Sequence, residues 1–292
     1  MSNDIALTLL FAVLNSLAYG LLLFMLSSGL TVVFGMLGVL NVAHASFYML
    51  GAYLAYTVID QTGSFLLAAV VAPVALALAG ALVERFLLRR VQLLGHWHQL
   101  LLTLGLGYIM LEGIKWIWGT ESHPMQPPAL LQGSILIGEA AYPVYRLFMG
   151  GCAIAVLAVL ALILFKTRLG MIVRAAVANS EMVSALGYNT SYVFTGVFAL
   201  GALLAGLAGA IAGPMLSVYP GMAADIGVDI FIVVVVGGLG SLKGALIASL
   251  ALGVFQSFGI LLMPDFAMFF SFLLMAVVLM WKPFGLYGER AA

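Results

Sequence analysis

Side chains that could bind a solute through hydrogen bonds are sparse in this sequence. Within the apolar stretches, their best cluster is Asn41, His44 and Ser46, followed by Phe47 and Tyr48. An amide, an imidazole and a hydroxyl so close together offer donors and acceptors to a small polar molecule. The same groups could instead bond to neighbouring helices, and for His44 the residue chemistry favours neither role. A metal site is not expected, because no second His, Cys or carboxylate stands at ligand spacing.

Bond-breaking chemistry is not predicted for this chain. Its Gly-rich stretch GGLGSLKG at 237–244 lacks the Gly-Lys-Ser/Thr sequence of a phosphate-binding loop, since Lys243 follows Leu242 and precedes Gly244. An enzyme would also need a metal cluster or an acid–base pair, and the sequence offers neither. We therefore expect no catalytic residues, no cofactor and no nucleotide hydrolysis here.

The composition indicates the kind of structure that must position these groups. Hydrophobic residues make up 64% and charged residues 8% of the 292 positions. This balance excludes a soluble core and predicts an all-α, polytopic helical bundle in a membrane, with about eight to ten crossings of about 20 residues each. The eleven basic and eleven acidic residues cancel, so a nucleic-acid partner is not expected.

Apolar runs predict nine spans. They lie at 5–27, 44–59, 64–88, 98–118, 146–165, 192–213, 228–242, 245–263 and 266–281. The stretch 28–43 is apolar but contains Gly29, Gly35 and Gly38, so it could extend the first helix, re-enter the membrane or add a crossing. We expect one membrane domain over 1–292, with a Gly-rich helix break near its N-terminus.

Basic residues predict the orientation of the bundle. They follow the third, fifth, seventh and last spans: Arg85, Arg89, Arg90, Lys166, Arg168, Arg174, Lys243, Lys282 and Arg290. Because cytoplasmic loops carry the excess of Lys and Arg, the N-terminus is expected outside and the C-terminus inside, with 119–145 as the main outer loop. Lys115 and Arg146, at the edges of that loop, stand against the trend.

A polar stretch at 166–191, KTRLGMIVRAAVANSEMVSALGYNTS, interrupts the apolar runs on the predicted cytoplasmic side. Between its glycines lies a run of Ala, Val and Met that favours helix. Composition suits a surface helix that either connects two spans or docks a soluble partner. The residues that would form a docking element are Arg168, Gly170, Arg174, Ala175, Asn179, Glu181, Gly187 and Asn189.

Small residues predict where helices pack closely. They recur every four positions in the sixth span, and a second ridge follows the seventh. The residues are Gly201, Ala205, Gly209, Gly213, Gly240 and Gly244. In lipid, such faces let backbones approach and hold helices together through van der Waals contact. Static packing is the simpler role, and a moving gate is the alternative.

Polar groups inside a membrane usually mark a path for solutes, because lipid leaves them without partners. The cluster of Asn41, His44, Ser46, Phe47 and Tyr48 stands beside the glycines at 35–38, where a helix break would expose backbone groups. We therefore predict that this cluster lines a path. Fixed charge is scarce, which favours a conduit over a tight site for a zwitterion.

Four stretches, which together cover nearly the whole chain in order, carry a resemblance to a known family. They are GLTVVFGMLGVLNVAHASFYMLGAY, VERFLLRR with TLGLGYIMLEGIKWIWG, RLG with RAAVANSEMVSALGYN, and FALGALLAGLAGAIAGPM with GGLGSLKGALIASLALG. The sequence resembles the branched-chain amino acid (LivH-like) permeases of ATP-driven importers. One departure is Ala45, where the family signature has glycine after the histidine.

The resemblance implies an ATP-binding-cassette importer in a bacterial cell (inner) membrane. Two permease subunits would form the path, two cytoplasmic ATPases would supply the energy, and an external binding protein would deliver the substrate. This chain would be one permease, paired with a second related permease or a second copy of itself, and 166–191 would be its coupling segment. The cargo that the resemblance favours is branched-chain or other hydrophobic amino acids, with short amides or urea as alternatives.

Two other classes of membrane protein have less support. An ion-coupled carrier of small metabolites would normally hold carboxylates near the midplane, whereas every acidic residue here falls near a predicted helix end or a loop. Asp225 and Asp229, for example, flank the predicted start of the seventh span. A membrane enzyme would need the missing acid–base pair or metal cluster.

Overall fold

A computed structural model describes residues 2–38, 41–92, 94–138 and 140–288 of the chain. Arg290, one of the basic residues used to predict orientation, lies outside these ranges. The helices are α1 (Ser2–Leu37), α2 (His44–Thr62), α3 (Phe65–Val83), α4 (Arg89–Gln92), α5 (His96–Trp118), α6 (Val144–Lys166), α7 (Arg168–Ala178), α8 (Ser180–Ala185), α9 (Thr190–Leu216), α10 (Met222–Gly237), α11 (Leu242–Leu262) and α12 (Ala267–Trp281). A π-helical turn (Glu84–Leu88) joins α3 to α4, and β1 (Ser134–Ile137) pairs antiparallel with β2 (Ala140–Pro143).

Six helical segments within the described ranges are long and apolar enough to cross a membrane. They are α1, α3 with its continuation to Gln92, α5, α6, α9 and α11. The shorter or more polar helices α2, α10 and α12 pack in the same bundle, α2 against α9 and α3, and the other two against α11. The prediction of a polytopic helical membrane protein is confirmed, and the number of crossings stays a prediction.

The first helix answers the question left open at 28–43. It is 36 residues long and continues to Leu37, where Gly38 adopts a left-handed φ of 64° and donates its amide to the carbonyl of Phe34 at 2.8 Å. This is a glycine helix end, and α2 begins at His44. The predicted first span at 5–27 is therefore too short. At 1.5 Å per residue α1 is about 54 Å long, which exceeds a hydrocarbon core of about 30 Å.

The seventh predicted span, at 228–242, is displaced in the structure. α10 starts at Met222 and ends at Gly237, and a turn leads to Ser241, whose hydroxyl accepts the amide of Gly244 at 3.2 Å and caps α11. Asp229 consequently lies in the middle of a helix, and its predicted position at a helix start is wrong. The apolar run alone predicts a helix start that is too late, because Asp225 is read as a loop residue although it lies in the first turn of α10.

α9 lies at the centre of the bundle, and its small residues are where other backbones approach it. Gly201 faces Gly29 of α1, and a Cβ on Gly209 would overlap the carbonyl oxygen of Tyr48 in α2. Gly206 lies against Pro73 of α3. In this way α1, α2 and α3 all contact α9 through nearly bare backbone, as expected for packing in lipid.

The other predicted packing residues have different neighbours. Ala205 is fully buried, and a Cβ on Gly213 would contact the sulfur of Met125 at 3.0 Å. Gly240 lies in the turn before α11 with φ of 84°, against Gly35 of α1. Gly244 faces Gly237 across the same turn. The second ridge thus closes the α10–α11 hairpin and does not form a continuous helix face.

Replacing Gly209 with alanine is expected to destabilise the bundle. Its methyl group must displace α2, and overpacking of this kind costs about 1–3 kcal/mol. Gly196→Ala, on the same helix, is the matched control, since no atom of the described ranges lies within 4 Å of a Cβ at Gly196. Thermal unfolding of the purified protein in detergent should show a lower midpoint temperature for Gly209→Ala and an unchanged midpoint for the control. Equal midpoints would contradict the packing described here.

The helices alternate in direction, so the ends that carry basic residues lie together. α1 and α11 are antiparallel, with Gly20 beside Leu250 and Gly35 beside Gly240. We call this end the basic end, and its described residues include Arg85, Arg89, Arg90, Lys166, Arg168, Arg174, Lys243 and Lys282. At the opposite end, His123 and Val218 exchange two backbone hydrogen bonds of 2.8 and 3.0 Å, which join the 119–143 loop to the end of α9.

Candidate functional site

A cleft of about 640 Å³ opens beside the first turn of α2. Its walls come from the start of α2, from α5 and from α10 with the turn before it. Along α5 it extends from Leu100 to Lys115, which is about 22 Å at 1.5 Å per residue. The cleft therefore follows most of a membrane-spanning distance between the first turn of α2 and the end opposite the basic end.

The walls of the cleft are mainly apolar, and small residues keep it open. Leu104 and Phe231 line it from α5 and α10. Gly227 faces Ala45 across it, and a Cβ on Gly227 would lie 3.5 Å from the methyl group of Ala45. Ala45, where the sequence departs from the signature it resembles, thus faces α10 across the cleft.

Three of the five predicted path residues line this cleft: Asn41, His44 and Ser46. Phe47 and Tyr48 do not line it: the side chain of Phe47 faces α9, and the backbone carbonyl of Tyr48 faces Gly209 of the same helix. The ring of Phe47 packs edge-on against Phe198, with centroids 6.2 Å apart, and both predicted aromatic residues are buried.

His44 makes a bond between helices. Its side chain is 2% exposed, and Nε2–H donates to the carbonyl oxygen of Leu26 in α1 at 3.0 Å. A Cβ on Gly29 would lie 3.1 Å from the imidazole ring. The imidazole holds the start of α2 against α1. His44 therefore borders the cleft, but its Nε2 is already bonded to Leu26.

Asn41 stands in the turn that leads into α2. Its backbone carbonyl accepts the amide of His44 at 3.1 Å, and the amide of Val42 donates to Thr103 Oγ1 of α5 at 3.3 Å. The side chain is 4% exposed, yet its Oδ1 has no hydrogen-bond partner among the residues that the structure describes. The backbone of this turn is therefore fixed, and the side-chain oxygen is free to accept a bond.

The polar stretch forms two short helices at the basic end. Thr167 caps α7, Asn179 caps α8 by accepting the amide of Met182 at 2.8 Å, and Asn189 caps α9 by accepting the amide of Ser191 at 3.1 Å. Gly187 adopts φ of 90° in the turn before α9. These positions explain locally why the stretch carries polar residues and glycine.

The remaining predicted docking residues differ in burial. Gly170 is buried, and a Cβ there would overlap the carbonyl oxygens at the end of α6. Arg168, Arg174, Ala175 and Glu181 are exposed, and the guanidinium carbon of Arg174 lies 5.4 Å from the ring centroid of Phe165. Large apolar side chains are exposed beside these charges: Leu169, Met171, Met182, Leu186 and Tyr188. A surface that combines exposed apolar groups and charges has the character of a protein-binding site.

A partly buried ionic network joins the π-helical turn and α4, which continue α3, to the first turns of α9. Arg89 Nη2 lies 2.9 Å from Glu84 Oε2 and donates to the carbonyl of Ser191 at 2.9 Å. Thr195 Oγ1 donates to Glu84 Oε2 at 2.5 Å. The sequence suggests a local pair of Glu84 with Arg85 or Arg89, and the structure shows the pair with Arg89. The bonds to Ser191 and Thr195 join residues 102 and 111 positions apart, so no local pattern indicates them.

Removing the Thr195 hydroxyl should weaken this network. In Thr195→Val the buried Glu84 carboxylate loses a donor, at an expected cost of about 1–3 kcal/mol. Thr195→Ser is the matched control, because it keeps the hydroxyl. Thermal unfolding in detergent should separate the two variants, and equal stability would mean that Arg89 alone satisfies Glu84.

A second buried carboxylate lies within the bundle. Asp229, in the middle of α10, is 8% exposed, and Tyr19 of α1 donates its hydroxyl to Asp229 Oδ2 at 2.5 Å. The expectation that every acidic residue falls near a helix end or a loop is therefore wrong. The partner is 210 positions away in sequence, so no local pattern indicated the pair. No group of three His, Cys, Asp or Glu that could hold a metal occurs in the described ranges.

The known proteins that this chain resembles are permeases of branched-chain amino acid transport. The family described as the permease component of the branched-chain amino acid transport system matches residues 12–279. The chain is 28% identical to the high-affinity branched-chain amino acid transport system permease protein BraD of Pseudomonas aeruginosa, over 94% of both chains. It is 29% identical to the LivH permease of that transport system in Escherichia coli K12, again over 94% of both. A probable branched-chain amino acid permease, LivH of Methanocaldococcus jannaschii, is 26% identical over 83% of this chain and 78% of its own length. No solved structure matches the chain.

Proposed function

The chain belongs to the family of permease components of branched-chain amino acid transport systems, and on that premise we propose that it is a membrane-spanning permease subunit of an ATP-binding-cassette importer. Its cargo is branched-chain or other hydrophobic amino acids. The observation that supports this most is the long, mainly apolar cleft between α2, α5 and α10.

The cleft is the part of the path that this subunit contributes. Its apolar walls suit an aliphatic side chain, and its volume of about 640 Å³ is within the usual range for a small-molecule site. Exposed residues of α5 and α10, such as Leu104 and Phe231, border it. A second subunit, a related permease or another copy of this chain, is therefore needed to enclose the substrate.

Energy reaches the path through the polar stretch at 166–191, which we propose as the coupling segment. Two cytoplasmic ATPases bind it through the exposed charges and apolar side chains of α7 and α8. Thr195 follows this segment by four residues and bonds to Glu84, and Arg89 bonds to Ser191 at the end of the segment. A push on α7 and α8 would therefore move α3 and α9 together, as rigid elements that share buried contacts.

The basic end faces the cytoplasm of a bacterial cell, across its inner membrane. This orientation follows from the excess of Lys and Arg on the cytoplasmic side of membrane proteins. The N-terminus is then outside and the C-terminus inside, and the cleft has its Lys115 end towards the external binding protein that delivers substrate. The chain itself catalyses no reaction.

Reconstituted transport tests this proposal. The chain is copurified with and without its candidate ATPases and related permease, placed in vesicles and supplied with binding protein and radiolabelled leucine. Uptake that requires ATP and the ATPases is expected. Uptake driven by an ion gradient without ATPases would overturn the proposal in favour of a carrier, for which Asp229 in the middle of α10 would be the candidate carboxylate. Uptake of urea or short amides in place of leucine would overturn the proposal that the cargo is a hydrophobic amino acid.

A further inference from the structure

The unbonded side-chain oxygen of Asn41 and the first turn of α2 lie together at one end of the cleft. We propose that they form a binding station for the amino-acid head group during transport. Asn41 accepts a hydrogen bond from the α-ammonium group, and the start of α2 holds the α-carboxylate. This inference rests on the proposed function, because it needs the cleft to be the path.

The first observation is the unpaired acceptor. Asn41 is 4% exposed and lines the cleft, and in the described part of the chain its Oδ1 has no partner. Native proteins rarely leave a buried amide oxygen unbonded, because it has given up its bonds to water. An ammonium group carries three donors, so an amino acid in the cleft supplies the bond that the folded chain does not.

The second observation is the bare start of α2. The preceding residue, Ala43, has no side chain that can cap the helix. The amides of His44 and Phe47 donate to the carbonyls of Asn41 and Ala43, at 3.1 and 3.0 Å. The amides of Ala45 and Ser46 come between them, and both residues line the cleft. The start of a helix attracts anions through such amides and through its dipole.

The third observation is the depth of this turn. His44 is bonded to Leu26, well before the end of α1, and Gly29 beside it contacts Gly201 in the middle of α9. α2 therefore begins inside the bundle, away from headgroups and bulk water. A helix end in that position lacks the solvent that would normally satisfy its amides. Broken helices of transporters use such ends to hold a substrate carboxylate.

The rest of the cleft fits the remainder of the ligand. With the head group at α2, an aliphatic side chain would extend along the apolar wall of Leu104 and Phe231. The station holds both charges with an amide oxygen and backbone amides, without an ion pair. Such binding discriminates amino acids from other apolar solutes while still allowing release.

Photo-cross-linking of the complete transporter, without its binding protein, tests the station. The complex in lipid nanodiscs is irradiated with L-photo-leucine, with the matching acid that lacks the amino group, or with the matching amine that lacks the carboxylate. We expect L-photo-leucine to label α5 and α10 in the cleft about tenfold more than either analogue, since loss of one charged hydrogen bond changes affinity by about that factor. Asn41→Leu should reduce this labelling by a similar factor.

The nearly isosteric Asn41→Asp variant separates binding from folding. Its carboxylate should raise labelling by the amine and lower labelling by the acid, a reversal that a purely structural role would not produce. Equal labelling by all three probes, or unchanged labelling in Asn41→Leu, would overturn the station and leave the path intact. A complex that imports leucine with no label in the cleft would overturn both.

Discussion

Replacing Gly227 with phenylalanine is expected to reduce ATP-driven leucine uptake about ten- to hundredfold, because overpacking costs about 1–3 kcal/mol and each 1.4 kcal/mol is a factor of ten. A Cβ at this position would already lie 3.5 Å from the methyl group of Ala45. The ring must therefore occupy the cleft between α2 and α10. Uptake into vesicles that contain the full complex measures the effect.

Two variants make this result specific to the cleft. Gly227→Ala should transport normally, because 3.5 Å is an ordinary van der Waals distance. Gly105→Phe places the same ring on α5 where no described residue has an atom within 4 Å of a Cβ, and it should also transport normally. If the complex with Gly227→Phe assembles and imports leucine at the wild-type rate, the cleft is not the path.

Arg174→Glu and Gly187→Val, made separately, are expected to release the ATPases and abolish ATP-driven uptake. Arg174→Glu reverses an exposed charge on α7. Gly187 adopts φ of 90°, and a β-branched residue there carries about 1–3 kcal/mol of backbone strain, which should displace α8 from α9. Copurification of the ATPases with the chain should fall about tenfold for a loss of about 1.4 kcal/mol.

Conservative replacements provide the controls. Arg174→Lys keeps the charge, and Gly187→Asn keeps a residue that tolerates the left-handed region. Both should retain the ATPases. If the two disruptive variants bind the ATPases and import leucine as the wild type does, 166–191 is a surface connection and force enters elsewhere.

The bundle was predictable because its signals are local. Apolar runs mark helices, and the basic clusters that follow them lie at one end of the structure. The glycine at position 38 ends α1 in the left-handed conformation, as a helix break requires. Residues such as Asn179 and Asn189 are typical helix caps, which a polar stretch between apolar runs already suggests.

The facing of individual side chains was harder to predict, because membrane helices are apolar on every side and give little indication of their rotation. Ser46 therefore lines the cleft while the ring of the next residue, Phe47, packs against Phe198 of α9. Contacts between distant residues carried no local signal at all. The bond from Tyr19 to Asp229 made a carboxylate compatible with the middle of α10, where an apolar pattern argued against one.

The pair of backbone bonds between His123 and Val218 has a mechanical consequence. α9 begins beside the proposed coupling segment and ends at this bridge, and it is long and apolar enough to cross a membrane. If α9 slides or tilts, either the 119–143 loop moves with it or the two hydrogen bonds between His123 and Val218 break. In the proposed importer, a movement of α9 that ATP binding starts at one end would therefore also move this loop at the other end, where the external binding protein would dock. Release of substrate from the binding protein and closure of the path would then be coupled.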